Sequence, residues 1–106
     1  MTEWLPFRST KDVVLDASGN GTIRFQPSIG EWKVEQVAAT TSTNTLEPEF
    51  SAFISGMYVG GSYSGSRTND TTFNQRVQAQ DNLTGVWIGG DPGAVATMVI
   101  SGLKLV

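Results

Sequence analysis

The chain has 106 residues, a formal net charge of −3 and only 16% charged side chains, so its surface leans on Ser, Thr, Asn, Gln and Gly. Twelve glycines in a chain without cysteine or histidine predict one turn-rich domain with no disulfide. The same inventory excludes Ser-His-Asp and Cys-His catalysis and zinc sites of the His/Cys kind.

Residues 1–10 mix large apolar side chains with a proline and show no period. The stretch MTEWLPFRST carries Glu3 and Pro6 where a signal peptide has a basic start and an apolar run. No leader is expected, and no stretch has the length of a membrane span. Trp4, Leu5 and Phe7 flank Pro6, and each is worth about 1.5–3 kcal/mol if fully buried. A small core has limited room for them, and Pro6 keeps the segment extended. The expectation is a docking arm over 1–10 that presents Trp4, Leu5 and Phe7 to a neighbouring subunit. The other reading has it packed on its own domain, 11–106.

From Lys11 the apolar period is two. Val13 and Leu15 alternate with polar neighbours, and Ile23 and Phe25 do the same after the turn Ala17-Ser18-Gly19-Asn20-Gly21. Two such strands around a Gly/Asn turn read as a hairpin. Asp16 to Gly21 also copies the first half of a calcium-binding EF-hand loop. The position that should supply the bidentate Glu is Pro27, so the segment is read as a turn and no metal is expected.

Pro27-Ser28-Ile29-Gly30 breaks the pattern, and Glu31–Thr40 resumes it with Trp32 and Val34 on one face. Thr40 to Thr45 is a strand end or a loop. Phe50 to Val59 is the most apolar early stretch, which suits a central two-sided strand, with Gly56 marking a bulge or a close approach. Gly60 to Ser66 reads as a flexible polar loop. Thr72–Gln80 alternates, with Phe73, Val77 and Ala79 on one face. Leu83–Ile88 is a strand around Trp87. Gly89-Gly90-Asp91-Pro92-Gly93 is the densest turn signal. Ala94–Ser101 is the next strand, separated by Gly102 from a last segment, Leu103–Val106.

These segments predict an all-β fold, a β-sandwich or jelly-roll-like domain of seven to eight short antiparallel strands. Its core is expected from Val13, Leu15, Ile23, Phe25, Trp32, Val34, Phe53, Val77, Val86, Val99 and Ile100.

The remaining chemistry is thin. The ten acids leave a carboxylate pair open in principle, but glycoside hydrolysis needs a cleft that a domain this small rarely encloses. No enzyme activity and no cofactor are expected. The seven basic residues are scattered and form no phosphate-tracking patch, so nucleic acid is not an expected partner. Trp32, Tyr58, Tyr63 and Trp87 form either a sugar-stacking platform or, as alternating aromatics more often do, part of the core.

Three segments carry a resemblance over roughly residues 10–106. After a polar N-terminal hairpin, they are the apolar strand ending Tyr58-Val59-Gly60-Gly61, the loop with Arg67-Thr68-Asn69-Asp70-Thr71, and the hairpin Gly85-Val86-Trp87-Ile88-Gly89-Gly90-Asp91-Pro92-Gly93-Ala94 closing in Met98-Val99-Ile100-Ser101-Gly102. The chain resembles small structural proteins of tailed-bacteriophage virions, such as capsid decoration proteins and head or tail accessory proteins. The resemblance implies a protein made in the host cytoplasm and built into the virion. It implies self-association, most simply a homotrimer, and docking on the major capsid protein. A carbohydrate- or receptor-binding module of a tail or fibre is the alternative.

Overall fold

A computed structural model describes residues 3–27, 30–60, 63–64 and 66–105. Ten strands are present among these residues: β1 (Trp4–Val14), β2 (Gly21–Phe25), β3 (Glu31–Thr41), β4 (Glu49–Ile54), β5 (Met57–Tyr58), β6 (Tyr63–Ser64), β7 (Arg67–Asp70), β8 (Gln75–Gln78), β9 (Leu83–Ile88) and β10 (Val95–Leu105). Two sheets pack face to face as a β-sandwich. The first has the order β1-β10-β3-β7, with β8 also on β3. The second has the order β2-β9-β4-β5, with β6 also on β4. Every pairing is antiparallel.

The all-β expectation holds, with ten strands rather than seven or eight. The surplus comes from short pieces. The run from Phe50 to Val59 is not one central strand, because Ser55 and Gly56 take positive φ (48° and 85°) and fold it into the β4–β5 hairpin. Positive φ at both central positions is the demand of the tight hairpin turn, and Gly56 meets it without steric cost. Tyr63–Ser64, read as loop, pairs with Glu49–Phe50. Arg67–Asp70, also without apolar alternation, pairs with β3. Such short edge pieces owe their strand state to an existing neighbour rather than to their own pattern.

The two turn clusters are not hairpin turns. β1 pairs with β10 while β2 pairs with β9, so Asp16–Asn20 lifts the chain from one sheet to the other. The Gly89–Gly93 cluster carries it back from β9 to β10. The two corners are stitched together: Gly90 N–H donates to the Gly19 carbonyl at 2.9 Å, and Gly89 N–H to Asn20 Oδ1 at 3.1 Å. Turn chemistry is the same for a hairpin and for a sheet-to-sheet corner; only the partner strands differ.

The expected arm at 1–10 is instead the first part of an unbroken edge strand. β1 pairs with β10 from Trp4↔Leu105 to Val14↔Val95, so no boundary falls between residues 10 and 11. Met1 and Thr2 lie outside the described residues. Eleven consecutive pairings supply the backbone partners that an arm would have lacked. β10 likewise runs through Gly102 without ending. The register instead shifts between Ser101 and Gly102, where Glu35 of β3 is left without an opposite residue. This is a β-bulge. A Cβ on Gly102 would lie 2.0 Å from the Lys33 carbonyl oxygen, so the bulge closes only over glycine.

The core lies between the sheets. Leu15, Ile23, Phe25, Val34, Val77 and Ile100 are buried as expected. Trp32 and Val13 pack against the core while half-buried. Phe53, Val86 and Val99 are half-buried on the outer faces instead, their places taken by Phe50, Ala52, Trp87 and Met98. In Val86-Trp87-Ile88 both phases of the alternation are apolar, so period alone does not say which face turns inward.

Candidate functional site

Strand length sets the first candidate surface. The long strands of the first sheet have 11 residues and β9 of the second has six, so the first sheet outruns the second by roughly 15 Å at ~3.3 Å per residue. At that end the β1–β10–β3 register puts Leu5, Phe7 and Trp32 on the inward face, and Trp4, Leu103 and Leu105 on the outward face. Leu5 is 38% exposed, while Trp4, Phe7 and Trp32 are half-buried. Phe7 stacks on Trp32 at 5.0 Å between ring centroids, and the Lys33 ammonium lies 5.4 Å from the Trp4 ring centroid. The structure thus brings Trp4, Leu5 and Phe7 to one tip, but Leu5 and Phe7 share a face and Trp4 occupies the other.

The tip borders a free sheet edge. Leu15 N–H donates to the Ala94 carbonyl and Gly93 N–H to the Leu15 carbonyl, so odd residues of β1 turn their backbone groups toward β10. Even residues face solvent. Pro6 therefore sits where its missing N–H would have pointed outward, which removes a donor from the edge at no cost to the ladder.

The second surface is an open groove of about 430 Å³ on the outward face of the first sheet. Register explains its make-up. Arg8, Ser101 and Gln36 form one row across β1, β10 and β3; Val99, Ala38 and Asn69 form the next; Thr97, Thr40 and Arg67 form the third. Small side chains at Ala38, Val99 and Ser101 leave the floor low between two arginines. Gln36 Nε2 donates to Asn69 Oδ1 at 2.5 Å and Ser101 Oγ to Gln36 Oε1 at 3.3 Å, which fixes the orientation of the amides. The sequence held no sign of this groove, because its residues come from four strands and share no local motif.

Of the two readings of Trp32, Tyr58, Tyr63 and Trp87, the four do not line up as a sugar-stacking platform. Trp87 is fully buried and packs on Phe50 at 4.8 Å between centroids, and Trp32 is engaged by Phe7. Tyr58 packs at a tilt against Phe53, and Tyr63 Oη donates to Asp70 at 2.5 Å. The half EF-hand resolves as a turn: Asp16 Oδ1 accepts the N–H groups of Ser18 (2.9 Å) and Asn20 (3.0 Å). Among the described residues, no group of three or more Asp and Glu side chains converges on a point fit for a metal ion.

The acids most engaged by neighbours are tuned toward the charged form. Hydroxyl donation from Ser64, and then Ser66, lowers the pKa of Glu47. The Tyr63 hydroxyl, and then Thr72, lowers that of Asp70. The Leu46 backbone N–H is the main cause for Asp91, which also accepts from the Thr45 N–H. A general acid working near neutral pH needs a raised pKa, and these three carboxyls move the other way.

No protein-family model matches this chain, and no curated protein matches it significantly.

Proposed function

We propose that the chain is a non-enzymatic structural protein of a tailed-phage particle, a decoration or cement protein that self-associates and docks on the outside of a lattice of major capsid protein. The observation that supports this reading is the tip of the first sheet. Apolar side chains occupy both of its faces there, with Trp4, Leu103 and Leu105 on one and Leu5, Phe7 and Trp32 on the other. Such a tip gains free energy when a neighbouring subunit covers it. A homotrimer is the simplest closed assembly for capsid sites of three-fold symmetry. Multivalent docking then needs only a modest contact from each copy.

Two measurements test the reading. Sedimentation should show an oligomer, and the Trp4→Ser, Leu5→Lys double variant should sediment as a folded monomer. Mass spectrometry of purified particles should count copies in proportion to the capsid lattice. A wild-type monomer at high micromolar concentration removes the self-association. A count of only a few copies per particle removes the decoration role.

A further inference from the structure

Arg8 and Arg67 line the same groove, and neither guanidinium has an ion-pair or hydrogen-bond partner among the described residues. Their Cα positions lie roughly 20 Å apart on the diagonal, taking ~4.8 Å between strands and ~3.3 Å per residue. Both side chains line the groove, with the low floor of Ala38 and Val99 between their strands. Among the described residues, no carboxylate lines the groove. An unpaired, planar guanidinium at each end recognises carboxylates through paired N–H donors.

We propose that this groove binds a short acidic oligosaccharide, its carboxylates held by Arg8 and Arg67 and its hydroxyls by the groove's amides and hydroxyls. Four features select this ligand class. The amide of Asn69 and the hydroxyls of Thr40 and Ser101 give both donors and acceptors, as sugar hydroxyls require. The central strands β10 and β3 have neighbours on both sides, so the floor offers no free backbone edge for an added peptide strand. Among the described residues the groove has no aromatic side chain, whereas single-stranded nucleic acid binds by stacking its bases on such rings. The volume of about 430 Å³ falls in the range of small-ligand sites. The site is separate from the apolar tip, so the proposal stands independently of the assembly reading.

The test is calorimetric titration of the full chain at low ionic strength with trigalacturonate, its methyl-esterified neutral form, triglutamate and inorganic phosphate. Trigalacturonate should bind, with affinity falling as salt rises. Arg8→Gln and Arg67→Gln should each weaken it about tenfold or more, the scale of one charge-assisted contact. Both side chains are exposed, so thermal melts of the variants should match the parent. Equal binding of the neutral ester, or unchanged affinity in the double variant, overturns the proposal. So does tighter binding of triglutamate or phosphate, or no trigalacturonate binding at millimolar concentration.

Discussion

Phe7 on β1 packs against Trp32 on β3 with ring centroids 5.0 Å apart, although β10 runs between their strands. The residue opposite Phe7 on β10 is Gly102. With no side chain there, Phe7 leans across the strand and reaches the indole. The bulge at Gly102 and the aromatic contact are thus one feature: the glycine that the bulge requires also opens the space that the rings fill.

Phe7→Ala should therefore destabilise the fold and not merely weaken an interface. Phe7 is half-buried, so the expected loss is about 1–2 kcal/mol, below the range for a fully buried Phe. A urea melt of a dilute, monomeric sample checks it. A loss seen only at concentrations where the protein self-associates would return Phe7 to a purely intermolecular role.

Gly102→Ala should cost at least about 2 kcal/mol. The new methyl would lie 2.0 Å from the Lys33 carbonyl oxygen and 2.9 Å from the Glu35 nitrogen, both backbone atoms that cannot swing away. The measurement is the denaturation midpoint at constant m-value. A variant as stable as the parent would mean that the bulge can relax.

Phe25→Ala should cost about 3–5 kcal/mol, because Phe25 is 1% exposed and truncation leaves a cavity between the sheets. Phe53→Ala should cost clearly less, since Phe53 sits on an outer face beside Tyr58. Equal losses for the two would contradict the assignment of faces.

Stability should fall in acid, below about pH 4. Asp91 and Asp70 have folded pKa values below the ordinary 3.8, so the unfolded chain binds more protons there than the folded one. Their contribution is complete above the unfolded value and is lost as pH drops through the folded one. Asp91→Asn should flatten that acid slope in melts run from about pH 5 down to about pH 2. An unchanged slope would mean that the cradle of Thr45 and Leu46 N–H groups does not favour the charged form.

Calcium should leave the melting temperature unchanged. Asp16→Ala should lower it whether or not calcium is present, by the equivalent of about 1 kcal/mol, because Asp16 Oδ1 holds the turn through Ser18 and Asn20. A calcium-dependent rise that vanishes in the variant would reassign the turn as an ion site.

Composition and period two were enough to read this chain as all-β, a sandwich or jelly-roll-like domain. Alternation located β2, β3 and β8, because a half-buried strand must place apolar residues on every second position. It also picked out Leu15, Ile23, Phe25, Val34, Val77 and Ile100 for the core. Only the tertiary structure decided which strands are neighbours. A Gly-rich turn reads alike whether it closes a hairpin or crosses between sheets, so the corners at Asp16–Asn20 and Gly89–Gly93 were not distinguishable locally. Residues 4–10 became strand because β10 offered them backbone partners 89 or more positions away, which no local pattern records. The groove between Arg8 and Arg67 has the same origin. Register across four strands, set by long-range pairing and one bulge at Gly102, is what brings those two side chains onto one surface.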